Sequence, residues 1–204
     1  RVFDTPISEL ALSSAAFGSA VAGMRPIVEI MFADFLFLAM DSLVNQSAKY
    51  WYLSNEQKSI PLVVRSAVGG GGGFGPIHSQ VPISWFLGVP GLKIVAPSTP
   101  NDAKRLLKAA IRDENPVLFF EHKTLYSTAE NREEITGVEV LGKGRIVREG
   151  SDVTLVSCMR GVADCLGAAQ LLSEIGISAE VLDLRSLRPL DSALIQNSFS
   201  KTKS

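Results

Sequence analysis

The chain of 204 residues is 46% hydrophobic and 20% charged with a formal net charge of −1, enough to bury a substantial core in one large domain or two small ones. Without a basic surplus, nucleic acid and anionic membranes are poor partners, and the longest apolar span, residues 27–44, is broken by Glu29, Asp34 and Asp41. Cys158 and Cys165, seven residues apart, fit neither a disulfide framework nor a C-x-x-C motif, which points to a reducing compartment and to thiols packed as small hydrophobes.

Residues 1–4 predict a short extended segment, and Thr5-Pro6 a helix start with Thr5 as cap and Pro6 as the first helical residue. The helix continues to Met24 through a run of Ala, Ser and Gly that lets a neighbouring helix approach closely. Glu9 lies in its first turn, where the helix dipole by itself favours a carboxylate by about 0.3–1 kcal/mol. Residues 26–32 predict a strand, and residues 33–55 one long helix, rich in Phe, Leu and Tyr and buried on most of its circumference.

The next stretch, PLVVRSAVGGGGGFGPIHSQ over residues 61–80, joins an apolar run suited to a central parallel strand to a loop without side chains. Gly69 to Gly73 allow positive φ and close approach of another surface, and His78, Ser79 and Gln80 follow at the C-terminal end of the strand, where open α/β sheets bind ligands. Gly70, Gly72 and Gly75 satisfy the G-x-G-x-x-G spacing, but Pro76 and Pro82 interrupt the helix that a dinucleotide site needs, and no acid occurs between Arg65 and Asp102. With His122 as the only other histidine, His78 does not suggest a histidine-built metal site.

Residues 83–87 predict a helical turn, 92–96 a strand, 101–112 a helix capped by Pro97-Ser98-Thr99-Pro100 and facing inward through Leu106, Leu107, Ala110 and Ile111, and 116–121 a strand. Four strands alternating with helices predict a parallel α/β sheet over residues 1–125. Residues 126–144 are polar and aperiodic, as a surface linker is. A second α/β unit opens behind them, with strands at 145–148, 153–158 and 179–184 and helices at 161–175 and 191–199. Both ends read as cut.

Taken in order, RVFDTPISE, GMRPIVEIMFADF, the IHSQ after the glycine loop, PGLKIVAPSTPNDAKRLLKAAIRDENPV, FFEHKTLY and AEVLDLRSLRPLD resemble one family: the beta subunits of the thiamine-diphosphate-dependent decarboxylating component of 2-oxo acid dehydrogenase complexes. The resemblance spans nearly the whole chain and implies that about the first 50 residues of a full subunit, and most of its C-terminal domain, lie outside it. It implies that Glu9 hydrogen-bonds a ring nitrogen of the cofactor's aminopyrimidine and shares its proton with it, favouring the imino form that activates the thiazolium. By the same carry-over Ile7, Met31 and Phe35 surround the pyrimidine, with Phe35 stacked on it. His78 lies near the reacting carbon, where a neutral imidazole orients intermediates or assists acyl transfer.

The family also carries a potassium site of mostly backbone carbonyls, matching Leu62, Ala110, Ile111, Asp113 and Asn115. By themselves, Asp113 and Asn115 read as a helix stop before Pro116. The glycine loop is richer in glycine than in many members, and Val81-Pro82-Ile83 replaces a stretch that often carries an acid. Because the chain has no Gly-Asp-Gly, the resemblance implies that an alpha subunit holds Mg²⁺ and the diphosphate, in an α2β2 heterotetramer that passes its acyl group to the lipoyl domain of a dihydrolipoyl acyltransferase. Pyruvate is the first substrate expected, with branched-chain 2-oxo acids and acetoin as alternatives. The compartment is the cytoplasm in a bacterium or the mitochondrial matrix in a eukaryote. A non-catalytic assembly piece and a nucleotide binder resting on the glycine loop are the competing readings.

Overall fold

The computed structural model describes residues 1–131 and 139–203. The strands β1 (Ile27–Ile30), β2 (Val63–Val68), β3 (Lys93–Val95) and β4 (Val117–His122) run parallel. Further along come β5 (Arg145–Arg148), β6 (Val153–Ser157), β7 (Ala179–Asp183) and β8 (Ser186–Arg188). The first sheet has the order β1-β2-β4-β3-β8 and the second β5-β7-β6. The helices are α1 (Glu9–Val21), α2 (Tyr50–Leu53), α3 (Ser84–Leu87), α4 (Pro100–Arg112), α5 (Arg160–Glu174) and α6 (Ser192–Thr202). No helix among the described residues is long and apolar enough to cross a membrane.

The two-residue period of a strand decides what covers each face. Val28, Ile30, Val64, Leu118 and Phe120 point to one side, where they pack with Ala16 and Ala20 of α1 and with Leu36 and Leu43 beyond β1. Val63, Val95, Val117 and Phe119 point to the other, against Leu106 and Ala110 of α4. Over β1 that second face is uncovered: Ile27 and Met31 are 50% and 60% exposed. The end of the sheet near Met31 is therefore open.

Three expectations need correction. Residues 1–4 pair with no strand among the described residues, and Val2 and Phe3 are exposed. The first helix starts later than Thr5-Pro6, with Ser8 as cap, its Oγ accepting the Ala11 N–H at 3.4 Å. Residues 33–55 are not one α-helix but a 3₁₀ segment (Ala33–Ala39), a π-helical segment (Asp41–Ser47) and α2. Ala33, Leu36 and Ala39 are fully buried at a spacing of three, the period that stacks side chains on one face of a 3₁₀ helix. The Asp41 carboxylate then accepts from Asn45 and Gln46, both at 2.8 Å, across the wider turns that follow. The four strands expected to form a parallel sheet do run parallel, and each sheet also takes an antiparallel pairing that the sequence did not suggest. β8 joins β3 antiparallel and β5 joins β7 antiparallel, and the centre of the first sheet is β4, with β2 beside it.

The remaining elements follow the sequence closely. Thr99 caps α4 by accepting the Asp102 N–H at 3.2 Å, with Pro100 in its first turn. The second unit is bound to the first by more than chain connection. Met159 and Leu187 enter the first core, and Arg145 and Arg185 approach the buried Asp102 of α4 at 2.8 and 3.2 Å. Arg185 also meets Glu139 at 2.9 Å, and Ser98 donates to Asp183. Burial, with Asp102 nearby as a like charge, raises the Asp183 carboxyl above its ordinary value despite the Ser98 hydrogen bond and Arg145. The Asp102 contacts are of charge more than of aligned hydrogen bonds, since among the described residues neither of its carboxylate oxygens has a hydrogen-bonded partner.

Candidate functional site

The C-terminal ends of β1, β2 and β4 meet at the open end of the first sheet, the position at which such sheets bind ligands. Each contributes a segment. Met31 and Phe32 follow β1, the glycine loop with Phe74 and His78 follows β2, and Lys123 follows β4. Glu29, Met31, Phe32, Phe74, Lys123 and Tyr126 are among the residues that line a cleft of about 290 Å³ there.

His78 is half-buried beside this cleft, its imidazole edge-on to Phe32 at 4.7 Å and to Phe35 at 5.4 Å between ring centroids. The Lys123 ammonium donates to the His78 carbonyl and stands 5.0 and 5.2 Å from the Phe32 and Phe74 ring centres, an arrangement attractive to a cation. Asp34, 7% exposed, accepts at one oxygen both the Gln80 N–H (3.2 Å) and the Gln80 side-chain amide (2.9 Å). Gln80 in turn accepts the Gly69 N–H at 3.1 Å.

The glycine at 69 is required. Its φ is +92°, and a Cβ there would stand 2.1 Å from Nε2 of His122. The His122 Nδ1 accepts the Thr124 N–H, which closes the turn after β4. Burial, reinforced by the charges of Arg160 and Lys123, lowers this imidazole below its ordinary value.

One wall of the cleft is an ionic layer. Arg65 grips Glu121 at 3.0 and 2.9 Å, and Tyr126 donates to the same carboxylate at 2.8 Å. The Glu121 hydrogen bond raises the guanidinium further, while burial and then Glu121 raise the Tyr126 phenol, so both keep their protons. Behind this wall lies a second cleft of about 350 Å³, bounded by Pro97, Thr99, Leu107 and His122 among others.

Of the residues singled out in the sequence, His78 and Phe35 touch, and Met31 lies on the adjoining cleft. Glu9 is half-buried in the first turn of α1, which packs on the 3₁₀ segment that carries Phe35. Ile7 is 84% exposed just before that helix. Among the described residues no hydrogen bond or ring contact joins Glu9 or Ile7 to the aromatic cluster. Asp34, Phe32, Phe74 and Lys123 belong to the site without having been singled out. The visible signal for Asp34 was a lone acid inside the apolar FADFLFL.

The residues matched to potassium do converge, where α4 ends and β4 begins. Oxygens of four of them accept hydrogen bonds within the chain. Leu62 accepts from the Val117 N–H at 2.8 Å and Ala110 from the Asp113 N–H at 3.2 Å. Arg25 donates to the Ile111 and Asp113 carbonyls at 3.2 and 3.0 Å. The Asp113 carboxylate accepts from Asn115 at 2.9 Å and pairs with Lys93 at 2.5 Å. These hydrogen bonds outweigh burial, the largest single influence, and lower its carboxyl below the ordinary value. Among the described residues no group of three or more His, Cys, Asp and Glu gathers to hold a metal.

Comparison with known proteins gives this geometry a family. The model for the transketolase pyrimidine binding domain matches residues 1–128, and that for the transketolase C-terminal domain matches residues 142–204. The chain is 45% identical to the mitochondrial pyruvate dehydrogenase E1 component subunit beta-1 of Arabidopsis thaliana, covering 99% of itself and 57% of that protein. It is 47% identical to the 2-oxoisovalerate dehydrogenase subunit beta of Bacillus subtilis and 48% identical to the acetoin:2,6-dichlorophenolindophenol oxidoreductase subunit beta of the same organism, covering 99% of itself and 62% and 59% of those proteins. It thus spans somewhat over half the length of these curated relatives. Among solved structures it is similar in fold to a split-gene transketolase described as an inactive beta4 tetramer, with a TM-score of 0.82 at 24% identity over 98% of this chain and 62% of that one. A transketolase from Pichia stipitis gives a TM-score of 0.72 at 20% identity over 95% and 28%. With its first 128 residues matched from end to end and its cleft at the ends of the parallel strands, the chain belongs to the transketolase pyrimidine-binding family.

Proposed function

We propose that the chain forms the pyrimidine-binding side of a thiamine-diphosphate-dependent 2-oxo acid dehydrogenase, as the beta-type subunit of a complex with an alpha-type subunit. The observation that carries this reading is the grouping of His78, Phe35 and Met31 about one cleft in a chain of this family. The residues fit the group: Phe32, Phe35 and Phe74 offer aromatic surface for a flat heterocycle. Phe35 and Met31 would flank the pyrimidine with Ile7, and Glu9 would hold a proton at a ring nitrogen. When bound, thiamine diphosphate supplies the electron sink for decarboxylation. His78 would orient the acyl group for transfer to a lipoyl domain of a dihydrolipoyl acyltransferase.

In this reading residues 1–125 form the pyrimidine-binding unit, 126–144 a connector and 145–204 the opening of the C-terminal unit. The alpha-type subunit holds Mg²⁺ and the diphosphate, in an α2β2 assembly. Pyruvate is the substrate we put first. Relatives named for 2-oxoisovalerate and for acetoin are 47% and 48% identical against 45% for the one named for pyruvate, so a panel of pyruvate, branched-chain 2-oxo acids and acetoin belongs in the test. Potassium is proposed for the oxygens of Leu62, Ala110, Ile111, Asp113 and Asn115, whose chemistry suits a hard cation. A cation there meets the charge of Arg25, which competes for two of the carbonyls.

Glu9→Gln in the complete, assembled enzyme tests the assignment, because an amide fills the same space and cannot deliver the proton. Turnover falls more than about 100-fold with assembly intact. Wild-type turnover in this variant would refute the role of Glu9.

A further inference from the structure

His78 makes no hydrogen bond through its imidazole among the described residues, yet its position is tightly specified from outside the ring. The carbonyl of His78 is held by Lys123, and two residues later the Gln80 N–H and side-chain amide are both held by one oxygen of Asp34. The ring itself rests edge-on against Phe32 and Phe35, the residues on either side of Ala33-Asp34. A buried carboxylate whose second oxygen has no hydrogen-bond partner among the described residues is destabilising to the fold. Its contacts give that cost a use, since Asp34 ties the histidine loop to the same 3₁₀ turn that carries the aromatic walls.

We infer that Asp34 and Lys123 are positioning residues, which fix the imidazole of His78 by clamping the backbone at its own carbonyl and two residues beyond it. This rests on the functional reading of His78 given above. Residues 78–80 are thus held at both ends, which leaves the ring one place to stand between the phenyl edges. Asp34→Asn keeps an oxygen able to accept both Gln80 donors, whereas Asp34→Ala frees that end. Lys123→Met keeps the stem over the two rings and removes the ammonium from the His78 carbonyl.

The experiment uses the full-length, assembled enzyme and follows the acyl-transfer step, cofactor affinity and the ¹⁵N signals of the His78 imidazole. Asp34→Ala and Lys123→Met each slow acyl transfer on the order of tenfold, since small displacements of a reacting group cost that much or more. Both broaden or shift the imidazole signals, while cofactor affinity is unchanged. Asp34→Asn restores most of the rate and the native signals. In a His78→Ala background Asp34→Ala slows the step less than about twofold further, the non-additivity expected of residues acting through one another. A loss of equal size with and without His78, or native imidazole signals in both Asp34→Ala and Lys123→Met, overturns the clamp. Full activity of His78→Ala alone rejects instead the functional role of the histidine, and the imidazole signals then still decide whether Asp34 and Lys123 place it. Should Asp34→Ala not fold, Lys123→Met carries the same test.

Discussion

His122 is the residue whose environment makes a direct statement about solution behaviour. Its ring packs against Gly69, where a side chain could not fit, and burial followed by the charges of Arg160 and Lys123 lowers its basicity, with Asp164 opposing weakly. The unfolded chain therefore takes up this proton first as pH falls, so the contribution to stability is full above 6.5, the ordinary imidazole value, and is lost as pH drops toward the folded value. Denaturant titrations between about pH 5 and 8 should show a decline toward acid that His122→Asn lacks. Equal slopes in the two proteins would reject the assignment. At this scale the sequence was informative where chemistry is rare: His78 stood out because histidine is scarce and the loop before it has no side chains. Asp34 and Lys123 act through backbone groups of other segments, pairings 46 and 45 residues long that no local pattern reveals.

Among the elements, those with punctuation in the sequence were legible and those without it were not. Thr99-Pro100 marks the start of α4 because the hydroxyl and the imino acid each suit one position of a helix N-terminus. Residues 33–40 are apolar on almost every side, so no period was visible, and three-residue spacing became apparent only from which side chains are buried. The π segment that follows is backed by Gly91, whose φ is +94° and whose added Cβ would stand 1.9 Å from the Ala48 carbonyl oxygen. Both obstacles are backbone, so Gly91→Ala should destabilise the protein by about 2 kcal/mol or more, toward the upper end for single substitutions. Gly88→Ala is the control: nothing lies within 4 Å of its added Cβ and its φ is −79°. It should shift stability by less than about 0.5 kcal/mol. Equal effects in thermal denaturation would show that the approach to Ala48 is not what fixes Gly91.

At the scale of the molecule, Asp102 is the charge on which the two sheets converge. Removing its charge leaves Arg145 and Arg185 facing a neutral amide, and Arg185 is only 7% exposed in its side chain. Asp102→Asn is expected to cost about 3 kcal/mol, the low end for breaking a buried pair, as chemical denaturation would register. An unchanged midpoint would mean that Glu139 and Asp183 suffice for the two arginines. The alternation of strands and helices made the α/β architecture legible, but β8 was not, since three residues after a strand carry no period. That short strand has a mechanical consequence. Because β8 hydrogen-bonds to β3, and Ala96 donates to the Arg185 carbonyl at 2.8 Å, the C-terminal unit cannot swing as a flap about a flexible hinge without tearing backbone ladder. The amides of β3 and β8 should then exchange with solvent at a common rate, opening only when the whole molecule does.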